Sequence, residues 1–573
     1  LFRSVKYPDA KIVVIVLYGV SLSVFILIAV IYFAKITAFP KSAVLIFWIF
    51  ALAYIGGSRL ILRGMIRNLM YSNKNLHKKK IAIYGAGHAG VQLCLGLQNT
   101  PDYSPVLFID DDYKKSNTLI RGITVFNPTD FNEIQMLIEN FSVDQIVIAI
   151  PSLSLYRRQE IIRYLEPLAV KILTLPAISQ LMNGNITISD IKEIEIEDLL
   201  GRDVIPADHN LLEKNINNLN VLVTGAGGSI GSELVKQIIL LKPSLLILFE
   251  LSEFFLYKID HELKSIITQY NTIHKDKIKT KVIIILGSVL NIKLLDNIIM
   301  RNSINTIYHA AAYKHVPIVE FNPITGVENN VIGTYNLAIT AMQHQVQTMV
   351  LISTDKAVRP TNVMGASKRI AEMILQALNY SQDFTNQQKK TIFTMVRFGN
   401  VLGSSGSVVP LFKEQIKNGG PITVTDPEVI RYFMTISEAV QLVIQASSMA
   451  TGGEVFVLDM GQSVKIVDLA KRMIHLSGLT IKDDKNPNGD IAIKFTGLRP
   501  GEKLYEELLI NDNAITTKHP RIQKANEVYL EYSILLNYIK QLEVAITNYN
   551  AQAIIHILQQ LVNDKIGNSQ KNS

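Results

Sequence analysis

The spacing of apolar positions changes along this chain, and each change predicts a different kind of element. From residue 12 to residue 34 the chain carries no charge, and Lys11 and Lys35 bracket the run. A helix needs about 20 such residues to cross a hydrocarbon core. A second apolar run, 43–57, extends to Leu62 if the stem of Arg59 lies along apolar surface. Together they predict a transmembrane helical hairpin, with Trp48 and Tyr54 near its ends or between its helices. From Lys79 onward, short apolar runs alternate with helix-period stretches, which predicts parallel sheets covered by helices. Strands are expected at 80–84, 106–109 and 145–150, then again at 220–224, 245–249, 282–286, 306–309 and 349–352. The tail, 532–564, places Ile554, Ile557, Leu558 and Leu561 at helical spacing, which predicts packing or subunit contact; residues 567–573 are too polar to order.

The expected fold class is therefore α/β, with two Rossmann-like doubly wound parallel-sheet domains in tandem after transmembrane helices. The expected boundaries are 1–78 for the hairpin and its basic flank, 79–205 for the first Rossmann-like domain, 206–528 for the second, and 529–573 for a helical tail. Charge refines the first of these. The net charge of +8 draws heavily on Arg59, Arg63, Arg67, Lys74, Lys78, Lys79 and Lys80, directly after the second apolar run. Such a cluster reads as a cytoplasmic flank rather than a nucleic-acid site. Only Lys35 and Lys41 lie between the runs, so the charge bias puts both ends in the cytoplasm. A signal peptide is excluded because a second run, not a small-residue cleavage site, follows the first. Two buried core helices are the alternative, and the uncharged length argues against it. The single cysteine, Cys94, excludes an internal disulfide and fits packing in a reducing compartment.

Chemistry concentrates at the strand ends. The first unit opens with Gly85-Ala86-Gly87-His88-Ala89-Gly90 after a strand, and its second strand ends in Asp110-Asp111-Asp112. Bare glycine backbone there serves either a phosphate or close helix–strand packing, and both readings stay open. The second unit is better marked. Gly225, Gly228 and Gly231, with Ser229 and Ile230 between them, have the spacing of a turn that cradles pyrophosphate at a helix N-terminus. Glu250 ends the next strand, where a carboxylate can accept from both ribose hydroxyls and repels a 2′-phosphate, favouring NAD over NADP. Ser288 and Val289 follow the third strand, and the small Ala310 and Ala311 follow the fourth. Beyond the fifth stand Thr354, Asp355 and Lys356, then Met364 and Lys368. The Met364-x-x-x-Lys368 spacing is that of a Tyr-x-x-x-Lys dehydrogenase pair with the Tyr replaced.

From about residue 221 to 508 the chain resembles the extended short-chain dehydrogenase family. Within it, the chain is similar to membrane-attached UDP-N-acetylglucosamine 4,6-dehydratases of bacterial polysaccharide and glycan biosynthesis, in the subgroup with Met for Tyr. The blocks 224–233, 310–317, 353–368, 397–410, 431–435 and 498–503 carry the resemblance. It implies a redox-neutral elimination: hydride leaves sugar carbon 4 for NAD, water leaves across carbons 5 and 6, and hydride returns to carbon 6. Asp355 is then the acid for the carbon-6 hydroxyl and Lys356 the carbon-5 base, its pKa expected to fall through burial and nearby Lys368. Thr354 would hold the carbon-4 oxygen, and Lys368 the nicotinamide ribose. Met364 cannot titrate, so Asp355 or an ordered water is left to take the carbon-4 hydroxyl proton, and retention at carbon 5 is expected. Implied substrate residues are Tyr313, Lys314, His315, Asn400, Ser407, Val408, Arg431, Arg499 and Glu502, with His315 equally readable as a loop histidine. Ser288 departs from the family, which commonly has Asp there.

The implied partners are a UDP-sugar and the lipid bilayer, with no metal, no nucleic acid and, by analogy, a homo-oligomer. The implied location is the bacterial cytoplasmic membrane, multi-pass, with the catalytic domain facing the cytoplasm. The long form of the family has four spans, and this chain begins with Leu1, so further upstream sequence is expected. A nucleotide-sugar 4-epimerase shares the fold but needs neither Asp355 nor Lys356 for carbons 5 and 6. A non-catalytic membrane scaffold that binds nucleotide sugar is the alternative outside enzymes.

Overall fold

The computed structural model describes residues 10–34, 40–72, 78–176, 188–194, 198, 205–382, 390–507 and 514–562. The chain divides into two compact units, Leu1–Lys79 with Thr100–Ser104, and Lys80–Asn99 with Pro105–Ser573.

In the first unit, helices Ala10–Phe33 and Lys41–Ser72 pack on each other, and Trp48 Nε1 donates to Ser21 Oγ at 3.1 Å. Many of their described apolar side chains face outward, among them Leu22, Phe25, Phe47 and Phe50. Among the described residues, however, no helix is long and apolar enough to cross a membrane. The expected spans therefore stand uncorroborated. The side chains of Arg59, Arg63 and Arg67, and all of Lys74, lie outside the described residues, as does 567–573.

Among the described residues there are two large sheets and two of three strands each. The first has seven strands, and its parallel centre runs Ile123–Phe126, Tyr103–Ile109, Lys79–Tyr84, Gln145–Ile148 and Lys171–Thr174 in space. The second has nine. Its seven parallel strands run Lys281–Leu286, Leu245–Glu250, Asn220–Thr224, Thr306–His309, Thr348–Ile352, Ile392–Arg397 and Val455–Leu458 in space. Two antiparallel strands, Ile522–Ala525 and Ile515–Thr516, close one side. Strand order reverses between Asn220–Thr224 and Thr306–His309, and a ligand crevice opens at such a point.

Alternation along the buried strands explains the two cores flanking this sheet. Leu222, Ile247, Ile307 and Met349 enter one core, while Val221, Val223, Leu246 and Val350 enter the other. Helix Val363–Ser381 is buried almost throughout because both tail helices, Tyr532–Thr547 and Ala551–Val562, pack over it. Ile554, Ile557, Leu558 and Leu561 go into that contact. A third core joins the first sheet to the small subdomain built on Ile422–Val424, Ile466–Leu476 and Ile491–Phe495.

Candidate active site

Glycine geometry builds the cofactor end. Gly225 has φ +66°, and a Cβ there would sit 2.7 Å from Ala310 backbone. At Gly231 a Cβ would lie 1.9 Å from the Gly225 carbonyl oxygen, so the turn and helix Ser229–Leu240 can approach only because both positions are bare. Glu250 Oε2 accepts from Gly227 N at 2.9 Å, and its Oε1 accepts from Leu251 N and Ser252 N. A bare turn, a helix N-terminus and a carboxylate at the second strand end fit a dinucleotide with free ribose hydroxyls.

A cleft of about 860 Å³ opens from this turn. Gly228, Ser229, Ile230, Gly231 and Ala310 line its cofactor end, and Thr354, Lys356, Met364 and Lys368 its middle. Tyr313, Lys314, His315, Asn400, Ser407, Val408, Arg431, Arg499 and Glu502 line the rest. Gly225, Glu250, Ser288, Val289, Ala311 and the wholly buried Asp355 are not among the lining residues. Ser288 Oγ instead accepts from Leu290 N at 3.2 Å, closing its own turn, and Val289 is buried in the core.

The Asp355–Lys356 pair sits in a short turn directly after strand Thr348–Ile352. Thr354 Oγ1 donates to Asp355 Oδ1 at 2.8 Å, and Lys356 Nζ donates to the same oxygen at 2.9 Å. Asp355 Oδ2 is buried and takes no hydrogen bond; such atoms are rare and mark strain or chemistry. Gly399 keeps the space beside it bare, since a Cβ there would lie 3.1 Å from Oδ2.

One expectation is overturned here. Burial pulls the Lys356 pKa down, but the Asp355 and Glu506 carboxylates outweigh it, and the net direction is up. The resting amine is an ammonium, and Asp355 and Glu506, not Lys368, dominate its field. Lys368 itself is pushed down to about 8 by burial. Met364 is buried in the first turn of helix Val363–Ser381, which Asn362 caps by accepting from Gly365 N at 2.7 Å.

At the substrate end, Arg431 contacts Glu502 at 3.2 Å and Glu506 at 3.8 Å, and donates to the Ile430 and Leu504 carbonyls. Its fork is thus aimed by protein groups. Arg499 is exposed, with its backbone N–H on Glu502 Oε2. Ser407 Oγ is buried without a partner at the start of helix Val408–Lys417. The Ser405 N–H reaches Ser229 Oγ at 3.2 Å, so this loop crosses the glycine turn. Burial lowers the pKa of Lys314, and burial with Lys314 lowers that of His315.

Sequence reasoning did not reach several supports of the site. Arg397, fully buried, pairs with Glu372 at 2.6 Å and Glu527 at 2.5 Å, and Arg369 joins both carboxylates. Ser353 Oγ donates to Glu372, which ties this network to the residue before Thr354. His309, pushed to about 3 by burial and then by Lys368, bridges Thr224 and Thr334 as a neutral ring. Asn330 holds both backbone groups of Tyr313. Arg397 stood inside a motif block, but nothing in its spacing pointed to Glu527.

The glycine turn of the seven-stranded sheet has the same closure. Asp110 Oδ2 accepts from Ala86 N at 2.7 Å and also pairs with Lys115 at 3.0 Å. A Cβ at Gly90 would lie 1.9 Å from Gly85 O, so that glycine serves helix–strand packing.

Comparison with known proteins supplies the family. The "Polysaccharide biosynthesis protein" family matches residues 221–527, and a "CoA-binding domain" family matches residues 7–176. The capsular polysaccharide biosynthesis protein CapD of Staphylococcus aureus is 42% identical, covering 89% of this chain and 81% of that protein. The probable polysaccharide biosynthesis protein EpsC of Bacillus subtilis is 40% identical over 86% of this chain and 78% of its own length. An uncharacterized membrane protein of Methanocaldococcus jannaschii is 45% identical over 51% of this chain and 80% of its own length. This chain belongs to the polysaccharide biosynthesis protein family.

Proposed function

We propose that the chain is a membrane-attached, NAD-dependent UDP-N-acetylglucosamine 4,6-dehydratase that retains configuration at carbon 5. The observation that carries this reading is the Thr354–Asp355–Lys356 array at a strand end, beside a dinucleotide-type turn, with Met364 where a phenolic base would stand. An epimerase would need no such acid–base pair. The bound dinucleotide would supply hydride acceptance at carbon 4 and hydride return at carbon 6. In the proposed cycle the carbon-4 hydroxyl proton passes through Thr354 to Asp355, along the 2.8 Å hydrogen bond between them. Asp355 then gives that proton to the carbon-6 hydroxyl, which leaves as water. Lys356 takes the carbon-5 proton, and its solvent-exchanged ammonium returns a proton to the same face, so the only net loss is water. Lys356 must enter this cycle neutral, whereas its carboxylate neighbours hold it charged at rest. Arg431, Arg499 and Glu502 are the proposed holders of the UDP part.

Membrane attachment rests on the apolar side chains that the two N-terminal helices turn outward, among them Leu22, Phe25, Phe47 and Phe50. The name of the archaeal relative supports it.

The test is incubation of the full chain in detergent with UDP-N-acetylglucosamine and catalytic NAD in heavy water. Loss of one water, deuterium at carbon 5 and no net NADH are expected. An isomer of unchanged formula would make the chain an epimerase, and ligand binding without turnover would make it a scaffold.

A further inference from the structure

Residues 499–507 form a strap across the catalytic turn. The Gly501 carbonyl accepts from Thr361 Oγ1 and Asn362 Nδ2, both at 3.0 Å, and Lys503 Nζ donates to the Val358 carbonyl at 3.1 Å. Leu504 O accepts from Ile430 N at 3.0 Å, and Tyr505 bridges to Ile430. These contacts fix the next residue. The Glu506 side chain is 5% exposed, and its Oε1 lies 3.6 Å from Lys356 Nζ and 3.8 Å from Arg431 Nε. The charged groups facing Lys356 are thus Asp355 from its own turn, Glu506 from the strap and Arg431 from strand Ile430–Met434.

Asp355 cannot hold Lys356 throughout the proposed cycle. While it carries the carbon-4 proton it is neutral, and its attraction for an ammonium falls to that of a hydrogen bond. Glu506 touches no proton in that cycle, so its charge persists. We propose that Glu506 is a positioning residue, the fixed countercharge that keeps Lys356 Nζ at the reacting carbon while Asp355 is protonated. The role of Lys356 as carbon-5 base rests on the dehydratase reading, but the hold of Glu506 on Lys356 can be read without substrate.

The experiment is labelling of the full chain with a small amine-acylating reagent across pH, with peptide mass analysis at Lys356 and at Lys368. In the parent, Lys356 should label with a midpoint above that of Lys368. Glu506→Gln should lower the Lys356 midpoint by about one pH unit or more, the scale of losing one close opposite charge. Glu506→Asp, which keeps the charge, should stay near the parent. In turnover, Glu506→Gln should lower kcat and shift the acid limb of the kcat profile downward. An unmoved Lys356 midpoint in Glu506→Gln, or an equal fall in Glu506→Asp, overturns the inference. Failure of the parent to dehydrate the sugar would remove the dehydratase reading instead, and the labelling midpoints would still decide whether Glu506 holds Lys356.

Discussion

Replacing Glu372 by Gln tests whether the buried charge network under the catalytic turn holds the site together. Two arginines, Arg369 and Arg397, face two carboxylates, Glu372 and Glu527, with all four side chains 8% exposed or less. Burial pushes the Glu372 pKa up, but Arg397, then Arg369 and the Ser353 hydroxyl, pull it from 4.5 to about 2. That drop corresponds to stabilisation on the order of 3 kcal/mol. Removing one partner of a buried pair costs about 3–5 kcal/mol by a separate route, because the remaining charge is left uncompensated. The sign with pH follows from the depressed value. The contribution is complete above pH 4.5 and is lost as pH falls toward about 2. Glu372→Gln should therefore unfold several degrees below the parent at pH 7, and the gap should narrow as pH falls through that window. Far-UV circular dichroism is the assay, since the single tryptophan, Trp48, lies in the N-terminal hairpin and cannot follow this unit. Equal midpoints at pH 7, or a gap that persists unchanged to pH 3, would refute the reasoning.

Four further outcomes are expected. Gly231→Ala puts a Cβ 1.9 Å from the Gly225 carbonyl oxygen, so NAD affinity by calorimetry should fall at least about tenfold; unchanged affinity would mean the turn is not the cofactor cradle. Lys356→Met should cost roughly 10²–10⁴-fold in kcat with UDP affinity kept, and turnover near that of the parent would dismiss Lys356 as the base. Met364→Leu conserves volume at a buried position that takes no proton, so kcat should stay within about a few-fold; a collapse of turnover would show that the thioether matters. Lys368, pushed down to about 8, loses its charge as pH rises through that value. NAD should then bind more weakly at pH 9 than at pH 7, and Lys368→Arg should flatten the dependence.

The sequence by itself determined whatever depends on near neighbours. Strand positions were legible because buried parallel strands are short apolar runs, and both glycine turns were legible because their spacing is local. Thr354, Asp355 and Lys356 were legible as a set because adjacent residues after one strand must share its C-terminal end. Tertiary structure decided what depends on residues far apart in the chain. Arg397 meets Glu372 and Glu527, 25 and 130 positions away, at one buried point, and no local period announces such a meeting. Ser288, placed by motif in the cofactor set, turns its hydroxyl to Leu290 N because closing the turn satisfies a nearby backbone donor. The tail's apolar stripe left its packing partner open, and the fold buries Ile554 and Leu558 over helix Val363–Ser381. The charge of Lys356 was misjudged for the same reason. Burial alone lowers an amine's pKa, but Glu506 arrives from a strap far along the chain and, with Asp355, reverses the sign. A side chain's neighbours in sequence fix its backbone and its face, whereas its field is summed over whatever the fold brings close.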